Sequence, residues 1–167
     1  MELYYKYNDI AGMNQVYSRL YKSDKIQLEI NSPVFVERRY LHDPEGEFAQ
    51  HKIYEDGYFL CAYSKEYNIP IGFLEIQRNS FKGVTTSKCA MSVAVDPRYR
   101  HQKVATSMIK TAIKDLQFKT SYDVLEWTCA ITNTIANEIA VKNNFSLDKA
   151  IISRNGVTKL NQYTKIL

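Results

Sequence analysis

At 167 residues, 45% apolar and 24% charged, the chain has the composition of a single globular domain with a sizeable core, which excludes a disordered or fibrous protein. A net charge of +4, with 22 bases interleaved among 18 acids, is too mild for a nucleic-acid binder but suits a small polyanionic ligand. Three cysteines without close spacing argue against a disulfide framework or a zinc site, no apolar run reaches the roughly 18 residues that span a bilayer, and the opening MELYYKYNDI lacks the marks of a signal peptide. A cytoplasmic chain with reduced, buried thiols, no metal and no membrane association is the expectation.

Leu3 to Tyr7 alternates as a short first strand. Asp9 can cap a helix running to about Tyr21, with Ile10, Met13, Val16, Tyr17 and Leu20 at helical spacing. Ser32-Pro33 reads as a cap followed by proline at the first helical position, opening a second helix to about Leu41. The polar segment from His42 to Asp56 is open between loop and short helix. Tyr58 to Tyr63 is a strand by its aromatic content, and Ile69 to Gln77 returns as its hairpin partner. In that second strand Ile71, Phe73, Glu75 and Gln77 share one face, and Gly72, Leu74 and Ile76 share the other. Asn79 to Ser87 reads as a further turn region. Lys88 to Val95 is apolar on both faces, which places it centrally in a sheet.

Val104, Met108, Ile109, Ala112, Ile113 and Leu116 form one stripe of a helix. Val124 to Ala130 is another strand. Asn133 caps a helix containing Ile135, Ala136, Ile139 and Ala140, and Asn143-Asn144 ends it, because asparagine tolerates the left-handed conformation. Phe145 to Ile152 and Val157 to Leu167 are strands joined across Arg154-Asn155-Gly156, an Asn-Gly hairpin cue. The order β, α, α, β, β, β, α, β, α, β, β is a mixed α/β (α+β) layout on one continuous sheet, with no repeat or linker over residues 1–167.

The chemistry concentrates between Ser92 and Ile113. An apolar strand runs into Asp96-Pro97, a basic turn follows (Arg98, Tyr99, Arg100, His101, Gln102, Lys103), and a helix begins at once. A helix start offers several backbone N–H groups that have no intrahelical partner, together with the favourable end of the dipole. With Arg100, Lys103 and a protonated His101 beside it, such a turn can hold a pyrophosphate, although a solvated charged turn would look the same.

The order strand, Pro97, Tyr99, Arg100, turn, helix resembles the acetyl-CoA-binding motif of the GCN5-related N-acetyltransferases. That signature is Gln or Arg, two residues, Gly, one residue, then Gly or Ala. Arg100, Val104 and Ala105 match it, whereas His101 and Lys103 replace two glycines usual in this turn. A second resemblance follows in order. The pattern Asn, two residues, Ala, two residues, apolar, Tyr, one residue, base, one residue, Gly-Phe is met at Asn133, Ala136, Ile139, Lys142 and Phe145, with Ala140 at the place of the usual tyrosine.

The resemblance implies a mostly antiparallel sheet of about six or seven strands flanked by about four helices. It also implies an enzyme that moves an acetyl group from acetyl-CoA to a small-molecule or peptide amine by direct attack within a ternary complex. Arg100, His101, Gln102, Lys103, Val104, Ala105 and Thr106 would hold the phosphates. Val93 and Val95 would pair with the acyl carbonyl and the pantetheine amides, and Asn133 would contact the cofactor. Glu75 and Glu126, on strands, are the candidate bases. The tyrosine that often protonates the departing thiolate is missing at Ala140. A relative that binds coenzyme A or a partner protein without catalysis is the alternative, and nucleic acid is not expected as a partner. Members of this family often dimerise, but the chain carries no specific sign of a homodimer.

Overall fold

The structure, a computed structural model, describes residues 1–31, 57–81, 84–153 and 156–167. Its elements in chain order are β1 (Leu3–Tyr7), α1 (Ile10–Arg19), α2 (Lys22–Asn31), β2 (Gly57–Ser64), β3 (Ile69–Phe81), β4 (Val84–Val95), α3 (Val104–Lys119), β5 (Val124–Ala130), α4 (Thr134–Lys142), β6 (Ser146–Ile152) and β7 (Lys159–Ile166). The seven strands form one sheet in the order β1-β2-β3-β4-β5-β7-β6. Every neighbouring pair is antiparallel except β4 and β5, which run parallel. This is the mixed, mostly antiparallel architecture expected from the sequence, with β4 in the middle.

Strand alternation sends side chains to two cores. On one face Leu60, Leu74, Ile76, Met91, Leu125 and Trp127 meet the stripe of α3 (Val104, Met108, Ile109, Ala112, Leu116) and Ala140 of α4. On the other, Phe59, Phe73 and Ala94 meet Met13, Val16 and Leu20 of α1 and Leu28 of α2. A ten-residue helix such as α1 is marginal alone. Its fully buried Met13 and Val16 supply the stability that propensity does not, at about 1.5–3 kcal/mol for each large side chain. At Gly72 an added Cβ would lie 2.9 Å from Met108 Cε and 3.1 Å from the Ala94 carbonyl oxygen, so glycine there lets the start of α3 lie close against β3.

The caps follow the sequence reading at both ends of the chain. Asp9 Oδ1 accepts the Gly12 N–H at 3.0 Å, and its other oxygen accepts the Tyr63 hydroxyl. Asn144, at φ 61°, ends α4 in the left-handed region.

Three expectations on the elements change or fall outside. The first helix stops at Arg19, with Leu20 extended, and α2 starts at Lys22. Its start is marked by Asp24, whose carboxylate reaches back to accept the Tyr21 N–H at 3.0 Å, the return half of a capping box without the usual forward half. The second helix expected from Ser32-Pro33 to Leu41, and the open segment from His42 to Asp56, lie outside the described residues. The turn expected over Asn79 to Ser87 is largely strand. β3 runs to Phe81 and β4 starts at Val84, with the two paired. Val84, Thr85 and Thr86 are β-branched, and that preference outweighs the polar composition that suggested a turn.

Candidate active site

The parallel ladder of β4 with β5 runs from Lys88↔Val124 only to Met91↔Trp127. Beyond it β5 stays with β7 as far as Ala130↔Leu160, while β4 continues through Ser92, Val93, Ala94 and Val95 against β3. The two parallel strands therefore part towards their carboxyl ends, the place where sheets with parallel strands open a crevice for ligands. The Asp96 N–H donates to the Ile71 carbonyl at 2.8 Å, which fixes the phase of the β3–β4 ladder. Rows alternate in an antiparallel pair, so the peptide groups of Ser92 and Ala94 face β3 and those of Val93 and Val95 face the opening. Their side chains are half-buried against the α3 core.

A short 3₁₀ turn, Pro97–Tyr99, carries the chain from β4 into the basic turn and α3. His101 and Lys103 adopt φ of 62° and 63°. These are the two positions where the sequence lacks glycine, and the backbone keeps the left-handed shape regardless, at a cost of about 1–2 kcal/mol per residue. Lys103 is the N-cap of α3 and makes no side-chain cap bond. The first intrahelical bond at this end is Ser107 N–H to the Lys103 carbonyl, at 3.0 Å. The amides of Val104, Ala105 and Thr106 thus lack an intrahelical acceptor, which is the donor array an anion needs. His101, Gln102 and Lys103 are exposed, and Ala105 and Thr106 are half-buried.

Arg100 turns the other way. Its Nε donates to the Val95 carbonyl at 3.1 Å, and its Nη2 donates to Asp24 Oδ2 of α2 at 2.8 Å. The guanidinium serves the chain rather than standing open towards the helix start. The Val95 carbonyl already holds one donor, so its N–H is the group left for a ligand.

Asp96, fully buried, anchors the end of β4. It accepts the backbone N–H of Arg98 at 3.0 Å, Arg98 Nε at 3.1 Å and Nη2 at 2.7 Å, and Arg19 Nη1 at 3.3 Å. Burial alone would raise its pKa, but the Arg98 and Arg19 donors outweigh that, and the carboxyl is held below its ordinary 3.8. Because the folded value is the lower one, the stabilisation is present above pH 3.8 and is lost as pH falls through the depressed value. Asp96→Asn is expected to cost about 2 kcal/mol at neutral pH in urea unfolding. It should also remove the part of the acid-induced loss of stability that the wild type shows below about pH 4.

Glu75 and Glu126 come to one face of the sheet. Glu75 pairs across strands with Ser92 and lies on the face of Phe59 and Phe73, under the side of α1 and α2. Glu126 pairs with Ala90, two residues below Ser92 on the same face of β4. Glu75 is 1% exposed, and Glu126 forms an ion pair with Lys88 at 3.7 Å. The structure thus sets both carboxylates near the apex of the opening, on flanking strands.

Asn133 sits across the opening, beyond the end of β5, with its N–H on the Ala130 carbonyl at 2.9 Å. Its Oδ1 caps α4 by accepting the Ala136 N–H at 3.2 Å, so the capping role is filled. Ala140 is fully buried in the core with Trp127, Phe145 and Tyr163. A phenol there would have to displace that packing. Ala140→Tyr is expected to lower stability by about 1–3 kcal/mol through overpacking, in thermal or urea unfolding, without raising any transfer rate. Burial pushes the thiols of Cys61, Cys89 and Cys129 up to about 12, which leaves no thiolate nucleophile at neutral pH.

Sequence reasoning missed Asp24 and Arg19, which tie helices to the cleft's rim. Asp24 had a local signal, an acid in the first turn of a helix, that becomes visible only once α2 is recognised.

Comparison with known proteins agrees with the fold. No curated protein sequence matches the chain. Among solved structures, an N-acetyltransferase from Staphylococcus aureus Mu50 superposes with TM-score 0.71 at 13% identity, covering 99% of both chains. The ribosomal-protein-alanine N-acetyltransferase from Brucella melitensis gives 0.72 at 11% identity over 100% of both. A Salmonella typhimurium structure described with its cofactor acetyl-CoA gives 0.72 at 12% identity, over 99% of this chain and 94% of that one. At such identities the likeness is one of fold. The family model for the acetyltransferase (GNAT) family matches residues 20–145, which takes in α2, the strands around the opening and both motifs. The chain belongs to the acetyltransferase (GNAT) family.

Proposed function

We propose that this protein is an acetyl-CoA-dependent N-acetyltransferase that works by direct attack of an amine on the thioester. The observation that carries the reading is the parting of β4 from β5 beyond Met91↔Trp127, with the uncapped amides of α3 at its mouth. Acetyl-CoA supplies an activated acyl group and a thiolate leaving group. The N–H groups of Val104, Ala105 and Thr106 bind its diphosphate, with charge from Lys103. The Val93 N–H, turned into the opening, donates to the thioester carbonyl and stabilises the oxyanion that forms on attack. The Val95 N–H holds the pantetheine arm. Arg100 shapes the turn through Val95 and Asp24, a role that replaces the direct phosphate contact expected from the sequence.

In the chemical step the amine nitrogen bonds to the carbonyl carbon and the C–S bond breaks. Glu75 takes the proton lost by the amine, directly or through a water. The thiolate leaves without a tyrosine acid and takes its proton from solvent. Most of the acceleration comes from holding the two reactants together and from the fixed Val93 donor. The acceptor is an amine that reaches the sheet face carrying Glu75 and Glu126.

The buried Ala140 supports a second reading, a coenzyme A binder without catalysis. Isothermal titration with acetyl-CoA, followed by a thiol-release assay, separates the two. The assay panel is spermidine, free amino acids, a peptide with a free N-terminal alanine and a lysine peptide. Binding with release supports the transferase, binding without release on any of these amines supports the second reading, and absence of binding overturns both.

A further inference from the structure

A chain of hydrogen bonds joins the strand that faces the thioester to the start of α2. It runs from the Val95 carbonyl to Arg100 Nε at 3.1 Å, from Arg100 Nη2 to Asp24 Oδ2 at 2.8 Å, and from that same Asp24 oxygen to the Tyr21 N–H at 3.0 Å. The Tyr21 carbonyl then accepts the Lys25 N–H at 3.1 Å, which is the first turn of α2. The Arg100 guanidinium carbon also stands 5.5 Å from the centre of the Tyr21 ring. Both partners of the ion pair are largely covered, at 31% and 26% side-chain exposure. Residues 24 and 100 are 76 apart in sequence, so no local requirement of helix or turn brings them together.

The position of this bridge gives it a task. Val95 is the last residue of β4, and its peptide group faces the opening. α2 packs through Leu28 over the other face of the sheet, where Glu75 and Glu126 lie. Arg100 is thus shared between the turn read as the diphosphate site and the helix beside the carboxylates.

We propose that Asp24 is a positioning residue, which through Arg100 locks the first turn of α2 to the end of β4, so that the wall of the acceptor site is set by the strand that holds the thioester. This rests on the reading of the opening as the acetyl-CoA site. Asp24 touches no reactant. It fixes where α2 stands relative to β4, and ordering of β4 by acetyl-CoA passes through Arg100 to α2.

Asp24→Asn removes the charge that faces Arg100 and replaces the ion pair by at most a neutral hydrogen bond, while leaving a carboxamide oxygen to accept the Tyr21 N–H. Asp24→Glu keeps the charge. Amide hydrogen exchange on the protein alone is the first readout. Exchange from Lys25 to Leu28 should rise about tenfold in Asp24→Asn, stay near wild type in Asp24→Glu, and be unchanged along α3. With acetyl-CoA added, those α2 amides should gain protection in the wild type and not in Asp24→Asn, while the amides from Val104 to Ser107 are protected in both. With the best acceptor of the amine panel, Asp24→Asn should raise the acceptor KM about tenfold and the acetyl-CoA KM by less than about twofold. Equal α2 exchange in wild type and Asp24→Asn, or equal acetyl-CoA-linked protection of α2 in both, overturns the proposal. Failure of acetyl-CoA to protect Val104 to Ser107 in the wild type overturns the site reading instead, and leaves the exchange of the protein alone to decide whether Asp24 holds α2.

Discussion

Glu75→Gln is expected to lower kcat by about 10²- to 10⁴-fold with the acetyl-CoA KM changed by less than about twofold, the signature of a lost general base. The substitution keeps shape and removes only the proton-accepting charge. Glu75 is the better placed of the two carboxylates. It pairs with Ser92, the residue before Val93, where β4 has just left β5. Glu126 sits beside Ala90, where the two strands are still paired, and Lys88 lies 3.7 Å away. Glu126→Gln is expected to cost less than about fivefold in kcat. A Glu75→Gln protein that retained full turnover would remove Glu75 as the base and pass the role to Glu126 or water.

Thr106→Asp should move stability and binding in opposite directions. Thr106 is the third residue of α3, inside the first turn. A carboxylate there interacts favourably with the helix dipole, by about 0.3–1 kcal/mol, so Tm should hold or rise slightly. The same carboxylate competes for the amides of Val104, Ala105 and Thr106 and repels a diphosphate. Affinity for acetyl-CoA should fall about 10- to 100-fold in isothermal titration, each factor of ten corresponding to about 1.4 kcal/mol. A mere solvated helix start would show the gain in stability with no loss of binding. That result would remove the amide array from the diphosphate site.

Much of this was legible in the residues. The aromatic content of Tyr58 to Tyr63, the return of Ile69 to Gln77 as its hairpin partner, and the stripe from Val104 to Leu116 gave the order of elements, because residue preference and side-chain period follow backbone geometry directly. The apolar run from Lys88 to Val95 was readable as a central strand for the same reason: only a strand covered on both faces can be apolar on both. The alternation that set Glu75 beside Phe73 also put it on the α1 and α2 side of the sheet. The basic turn before Val104 was visible as a helix start with charge around it.

Other features were not readable, for reasons of distance and competition. α2 carries few apolar residues and has a cap that works backwards from Asp24, so neither its stripe nor its start stood out. The ribbon around Phe81 and Val84 looked like a turn because polar composition and β-branching pull opposite ways there, and strand pairing resolved it. Arg100 looked like a phosphate ligand, since its charge is written in the chain and its direction is not.

The sequence by itself determined the periodicities, the helix start after Lys103 and the chemical types present at the site. Local backbone geometry and side-chain chemistry act within a few residues, so a linear reading reaches them. Only the tertiary structure decided that β4 leaves β5 after Met91, that Arg100 faces Asp24, and that Ala140 lies in the core. Each of these depends on how elements far apart in sequence pack together, and packing is settled by the whole core at once.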